Sequence, residues 1–250
     1  MDGEGIDALA FAAACAQYAP QALYCNPTLL NPTTLTMSAQ RRQALVQVAR
    51  NYGVPIIEDD AYGFLPRSAP APIAAIGADI TYYVAGLAKC LGAGLRLAYV
   101  VAPDAVAIAR LTAAVRATTV MASPFTAALA TRWVRDGVAD LALNAIRKES
   151  MARQRLAERI LPRDSYSSQP EAFHLWINLP EQWDRLALTA QLRATGVGVV
   201  PSDAFAVYGP APQAIRVCIG GISKHDELRQ ALQQIADVLR ESPSVRPAIL

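Results

Sequence analysis

Histidine and cysteine are scarce in this chain. There are two histidines, His174 and His225, and four cysteines, Cys15, Cys25, Cys90 and Cys218, with no CxxC spacing. That argues against a zinc site and against a disulfide framework. The thiols read as reduced and mostly buried, as in a cytoplasmic protein. Charge of either sign is in small excess: the net value is +2, without a basic run or an aromatic–basic interleave. Nothing therefore points to nucleic-acid binding by this chain alone. Long apolar runs are missing too, so no bilayer crossing and no membrane partner are expected. The acidic, polar start Met-Asp-Gly-Glu-Gly reads as neither a signal nor a transit peptide. Internal repeats and low-complexity tracts are absent.

What is there is a well-cored chain. Hydrophobic residues make up 53% and charged residues 18% of 250 positions, enough for one large domain or two smaller ones. Residues 6–18 show a helical period. Residues 22–25 read as a short strand that runs into two Asn-Pro-Thr steps, Asn26-Pro27-Thr28 and Asn31-Pro32-Thr33. The residue before proline avoids the helical region, so this is an extended, turn-prone loop. Ser38 caps a helix over 39–52 that Gly53 ends. The continuous apolar run 54–57 predicts a buried parallel strand that delivers Glu58-Asp59-Asp60-Ala61-Tyr62 at its C-terminal end. A loop is expected over 65–72. Two further buried strands, 80–85 and 97–102, bracket Lys89, and helices follow over 104–116, 124–136 and 139–160, with Gly137 breaking the second from the third.

Beyond a loop at 162–170 the pattern changes. Strands over 173–178, 197–200 and 215–219 and helices over 182–194 and 224–240 describe a small α+β domain. Expected domains are therefore 1–137, 138–241 and a frayed tail, 242–250. Strand and helix alternate in the first part, which predicts a mostly parallel α/β sheet with flanking helices. Ligands gather beyond the C-terminal ends of such strands. Asn31, Asp59, Tyr62 and Lys89 all fall at or just after strand ends.

The stretch Gly86-Leu87-Ala88-Lys89-Cys90-Leu91-Gly92-Ala93-Gly94-Leu95-Arg96 organises the candidate chemistry. A lysine at the mouth of a buried sheet fits a Schiff base to an aldehyde cofactor, with Arg96 on an anionic group of that cofactor. A pyridoxal-phosphate site also needs a carboxylate beside the pyridine nitrogen and hydrogen-bond donors for the phenolic oxygen; a second arginine takes a substrate carboxylate. Asp59, Tyr62 with Asn31, and Arg216 (a charge in the apolar strand Ala214-Ile215-Arg216-Val217-Cys218-Ile219) supply these. Each has a plainer alternative: turn chemistry for the Asn-Pro-Thr steps, a cap for Asp59, solvation for Glu58 and Asp60, core packing for Tyr62, an acidic partner for Arg216. Their order and placement together favour the cofactor site.

These stretches resemble the fold-type I pyridoxal-phosphate aminotransferases of class I/II. The resemblance is closest to the aminotransferase-like domain of MocR-type regulators in the GntR group. It rests on residues 26–38 with Arg41-Arg42, on Ile56-Ile57-Glu58-Asp59-Asp60-Ala61-Tyr62, on residues 89–103, on Phe173-His174-Leu175-Trp176-Ile177-Asn178-Leu179-Pro180, on residues 196–205 and on Ile215-Arg216-Val217. The resemblance implies a Schiff-base role for Lys89 and a pyridine-nitrogen partner in Asp59. It implies Asn31 and Tyr62 beside the phenolic oxygen, Arg96 on the phosphate and Arg216 on the substrate carboxylate. Glycine is usual in the family where Thr34 stands, and serine where Gly86 and Ala88 stand. Family members also carry a long segment before the point matching Asp2, including a phosphate-cradling turn, so the chain is expected to be N-terminally truncated. It then represents part of the cofactor domain plus the small domain, with exposed apolar strand edges that favour association. The implied activity is amino-group transfer between an amino acid and a 2-oxo acid, in a homodimer if complete. The alternatives are an effector-sensing domain of a MocR-type regulator and an inactive fragment.

Overall fold

The computed structural model describes residues 2–162, 164–221 and 224–241. The expected tail at 242–250 lies outside the described residues. Two compact units emerge. One holds the residues before Asn31 together with Leu35–Arg147, and the other holds Asn31–Thr34 and the residues from Lys148 on. The changeover lies inside a helix, ten residues past the expected boundary at Gly137, which instead turns the chain between two helices at φ 75°.

The first unit runs α1 (Ala8–Tyr18), β1 (Leu23–Cys25), α2 (Ala39–Tyr52), β2 (Ile56–Asp59), α3 (Ile73–Ile76), β3 (Thr81–Gly86), β4 (Ala98–Val101), α4 (Ala105–Thr118) and α5 (Pro124–Arg135). It also takes the start of α6 (Val138–Ile160). Its sheet has the order β1-β2-β3-β4, parallel through β3 and antiparallel at β4. Local chemistry sets the helix limits. Asp7, Ser38, Asp104 and Ser123 each accept a backbone N–H of the first turn of α1, α2, α4 and α5. Gly53 ends α2 at φ 65°, where its N–H meets the carbonyls of Ala49 and Arg50. Leu45, Val46 and Ala49 of α2 pack on Cys25 and Ile56 of the sheet and on Phe11 of α1.

The second unit is antiparallel. It contains β5 (Tyr166–Ser167), β6 (His174–Asn178), α7 (Arg185–Ala194), β7 (Val200–Pro201), β8 (Ala214–Cys218) and α8 (His225–Arg240), with sheet order β5-β6-β8-β7. Leu228, Leu232, Ile235 and Leu239 recur at helical spacing on α8 and bury against Leu175 and Ile177 of β6. The expected pairing of a partial, mostly parallel α/β unit with a small α+β unit is therefore what the chain forms.

Several elements differ from expectation. Residues 97–102 do not make a buried strand. β4 pairs antiparallel with β3, and all four of its residues are exposed, Tyr99 at 55% and Val101 at 59%. The connection is a loop without a crossover helix, so the strand direction reverses. No partner strand lies on the outer side of β4 among the described residues. The loop at 162–170 contains β5, and the expected strand at 197–200 shrinks to Val200–Pro201. Gly196, at φ 87°, keeps the chain turning there, and Val197 and Val199 reach the core without joining the ladder. Thr34 keeps a left-handed backbone, φ 62°, at the position where the resemblance has glycine.

One buried cation ties the first unit together. Arg42 of α2 is fully buried. It donates to the carbonyls of Met37, Pro27, Pro70 and Ala71 and to Thr28 Oγ1, over 3.0 to 3.3 Å. Replacing it strands these acceptors and removes the positive charge facing Glu58 and Asp60. Arg42→Met is expected to destabilise the chain by about 3–5 kcal/mol, read as a lower urea midpoint. An unchanged midpoint would contradict the bridging role.

Candidate active site

The loop between β3 and β4 is built by alternation of inward apolar and outward charged residues. Leu87, Cys90 and Leu95 are buried against Ala130 of α5, with Leu91, Leu97, Leu129 and Trp133 around them. The N–H groups of Leu91 and Gly92 both reach the carbonyl of Leu87, which makes a tight turn. Leu87 N–H meets the carbonyl of Leu97 at 3.0 Å and closes the base of the loop. Lys89 and Arg96 are left exposed on this frame. Arg96 ends a short 3-10 turn with φ 51°, a left-handed conformation that a side-chain-bearing residue holds only when its surroundings over-determine it.

The acidic triplet after β2 splits across the sheet. Side chains alternate along a strand, so Ile56, Glu58 and Asp60 fall on the buried face, and Ile57 and Asp59 on the other. Glu58 and Asp60 are not solvated: their exposures are 0% and 4%. Glu58 accepts the N–H groups of Ile73 and Ala74 at the start of α3, each at 2.8 Å. Asp60 accepts the Tyr83 hydroxyl at 2.9 Å. Burial pushes both carboxyls above their ordinary range, opposed in Glu58 by the two backbone donors and in Asp60 by Tyr83. Burial also pushes the Cys25 thiol up to about 12, with Glu58 adding to it. Cys25 is thus an inert core thiol.

Asp59 faces the other way. Its Oδ2 accepts the Tyr24 hydroxyl at 2.7 Å, and its carbonyl accepts Asn26 Nδ2 at 2.5 Å. Desolvation and this hydrogen bond push the Tyr24 phenol up to about 12. Below Asp59 on the same face, Ile57, Tyr82, Val84 and Val100 line one side of an apolar groove of about 490 Å³, with α4 on the other side. Tyr62 follows on the turn after β2 and is 7% exposed. Lys89 Nζ lies 6.0 Å from the centre of its ring. The first unit therefore places Asp59 at the C-terminal end of β2, Tyr62 on the turn after it, and Lys89 and Arg96 on the loop after β3, with Lys89 near Tyr62.

The other two expected residues belong to the second unit and meet each other. Arg216 Nη1 donates to Asn31 Oδ1 at 2.7 Å. The guanidinium carbon lies 4.9 Å from the ring centre of Phe205, which meets Trp176 edge-on at 6.2 Å. Nε of Arg216 is buried, and no acceptor for it lies among the described residues. Tyr24, Asn26 and Phe205 were not singled out from the sequence as site residues. The signal for Tyr24 is its place on the strand beside β2, in register with Ile57. For Phe205 none precedes knowledge of the fold.

Comparison with known proteins follows the same lines. The family model described as "Aminotransferase class I and II" matches residues 6–235. The chain is 26% identical to the HTH-type transcriptional regulator YdeF of Bacillus subtilis, over 90% of this chain and 49% of the regulator. It is 26% identical to aromatic-amino-acid aminotransferase 1 of Thermococcus litoralis, over 88% of this chain and 54% of that enzyme. The chain thus spans about half the length of these curated relatives. Kynurenine aminotransferase of Pyrococcus horikoshii, solved with PMP, shares its fold. The TM-score is 0.86 at 22% identity, over 96% of this chain and 62% of the solved one.

The buried carboxyls set a pH dependence. Glu58 and Asp60 hold protons to higher pH when folded than their ordinary values of 4.5 and 3.8. The folded state therefore binds more protons above those values, and their contribution to stability rises as pH falls from neutrality. Glu149, beside Arg153 and His225, and Asp184, which accepts the N–H groups of Ala187 and Leu186, are shifted down. Their contribution is complete above the ordinary values and is lost as pH falls through the lower folded ones. The urea midpoint is expected to hold or rise from pH 7 to about 5 and to drop below about pH 4. Glu58→Gln should flatten the upper limb. A midpoint that falls steadily between pH 7 and 5 would contradict the burial of this pair.

Proposed function

The chain belongs to the class I and II aminotransferases, and on that premise we propose that it binds pyridoxal 5'-phosphate beyond β2 and β3 and serves amino-group transfer between an amino acid and a 2-oxo acid. The observation that carries this reading is the donor set on one sheet end: a carboxylate held from the next strand, a buried tyrosine, and an exposed lysine and arginine on one braced loop. These groups match what the cofactor requires, and the buried, acceptor-less Nε of Arg216 matches an incoming anion. When bound, the cofactor supplies an electron sink for charge developing at an amino acid's α-carbon.

The residues then have distinct tasks. Asp59 offers a carboxylate to the protonated ring nitrogen, and Tyr62 offers its hydroxyl to the phenolic oxygen. Arg96 holds the phosphate as a fixed cation. Serine at positions 86 and 88 would add hydroxyls there; Gly86 and Ala88 do not, so Arg96 carries more of that anion in this chain. Lys89 would hold the cofactor's aldehyde carbon through its amine, and, once the substrate's own amine has taken that carbon, the freed amine would move a proton at the substrate's α-carbon. Arg216, braced by Phe205 and Asn31, orients the substrate carboxylate.

A second reading, effector sensing without turnover, is favoured by the regulator YdeF among the relatives. Three measurements separate these readings. The chain mixed with pyridoxal phosphate is expected to show a visible band, and borohydride is expected to fix an adduct on Lys89, found by peptide mass and absent in Lys89→Ala. Asp59→Ala should weaken uptake about tenfold or more, equivalent to about 1.4 kcal/mol. An amino acid that bleaches the band, followed by a 2-oxo acid that restores it, marks transfer. A band that shifts and stays marks sensing, and no adduct at Lys89 rejects both.

A further inference from the structure

Asp59 is gripped at two points from the neighbouring strand. Tyr24 holds its Oδ2 at 2.7 Å, and Asn26 holds its carbonyl at 2.5 Å. The parallel register explains how. Tyr24 pairs with Ile57 and Cys25 with Glu58, so Tyr24 stands on the face that carries Ile57 and Asp59, while Cys25 turns to the core. A tyrosine side chain is long enough to reach the carboxylate one two-residue step further along β2. Packing does not account for it, because Tyr24 is 62% exposed and belongs to no core cluster, on a strand at the end of the sheet. Its hydroxyl is nonetheless committed to the side chain that the proposed chemistry needs most closely aligned.

We propose that Tyr24 is the positioning residue of Asp59: it holds Oδ2 and leaves Oδ1 as the oxygen presented to the cofactor's ring nitrogen. The inference rests on the reading of Asp59 as the partner of that nitrogen. A carboxylate on a short stem turns about two torsions, and a hydrogen bond to one oxygen fixes the plane of both. Asn26 fixes the peptide from which the stem departs, so backbone and carboxylate are each held once. The phenol keeps its proton across the neutral range, its value standing near 12, and so remains a donor wherever the site operates. Holding the acceptor in place beforehand spares the cofactor the cost of ordering it on arrival.

Tyr24→Phe removes the hydroxyl from a largely exposed ring and is expected to fold. Two readouts test the assignment. In the unloaded chain, urea unfolding of Tyr24→Phe, Asp59→Ala and the double variant should show a coupling of about three- to tenfold in the folding constant. In the chain titrated with pyridoxal phosphate, Tyr24→Phe should weaken uptake about tenfold and shift the pH at which the visible band changes, since charge at the ring nitrogen tunes the proton on the imine formed with lysine; on the Asp59→Ala background it should do neither. Additive unfolding overturns the proposal whether or not the cofactor binds. Coupled unfolding with unchanged affinity and spectrum also overturns it, since the contact is then structural only. If the unsubstituted chain takes up no pyridoxal phosphate, the reading of function fails first and the positioning role goes with it. If it binds and Tyr24→Phe binds identically, only the positioning role fails.

Discussion

The first unit depends on a buried guanidinium. Arg42 is carried inward on α2 and spends its donors on five acceptors in two loops: both ends of the β1–α2 loop and the loop before α3. Burying such a group is costly, and burial does lower its affinity for its proton. Two features offset that cost. Nearly every donor has an acceptor, and Glu58 and Asp60 set negative charge nearby. The consequence reaches the candidate site. The loop after β1 delivers Asn26 to Asp59, and α3 exists as a short turn whose first N–H groups are closed by Glu58. Asp59, between two buried and anchored carboxylates, inherits a backbone that cannot slide.

Much of this was legible in the sequence because it is local. Caps and stops are written in single residues: Ser38 and Gly53 bound α2, Ser123-Pro124 starts α5, and Gly137 turns the chain. The Lys89 loop is legible for a similar reason. Its apolar positions, Leu87, Cys90, Leu91 and Leu95, have one place to go, and the two cations between them are left outside. The order of Asp59, Tyr62, Lys89 and Arg96 along alternating strands and turns carried the family resemblance without knowledge of any contact.

What was not legible depends on which face and which neighbour a residue meets. Tyr99, Val100 and Val101 look like a buried strand by composition, yet β4 sits at the sheet edge with its side chains in solvent. Apolar content reports what a strand would bury, not whether anything covers it. The acidic triplet shows the same limit: Asp59 stood out in the sequence and solvation was left open for Glu58 and Asp60, but the two-residue period of β2 sends those two inward while Asp59 turns to Tyr24. The contact of Asn31 with Arg216, far along the chain, was likewise not legible, because it depends on which neighbour the loop meets.

That last pair would suit the anion proposed for Arg216. The groups around the Arg216 guanidinium, the Asn31 amide oxygen and the Phe205 ring, are both neutral. They orient the cation by a dipole and a π face, which cost less desolvation than a carboxylate partner and leave the positive charge uncancelled. Nε is buried, and no acceptor for it lies among the described residues. A carboxylate partner of the chain's own would have quenched that charge and competed with any ligand for the guanidinium. On the proposed reading, an incoming anion would complete Arg216 in the middle of a strand otherwise built of Ala214, Ile215 and Val217.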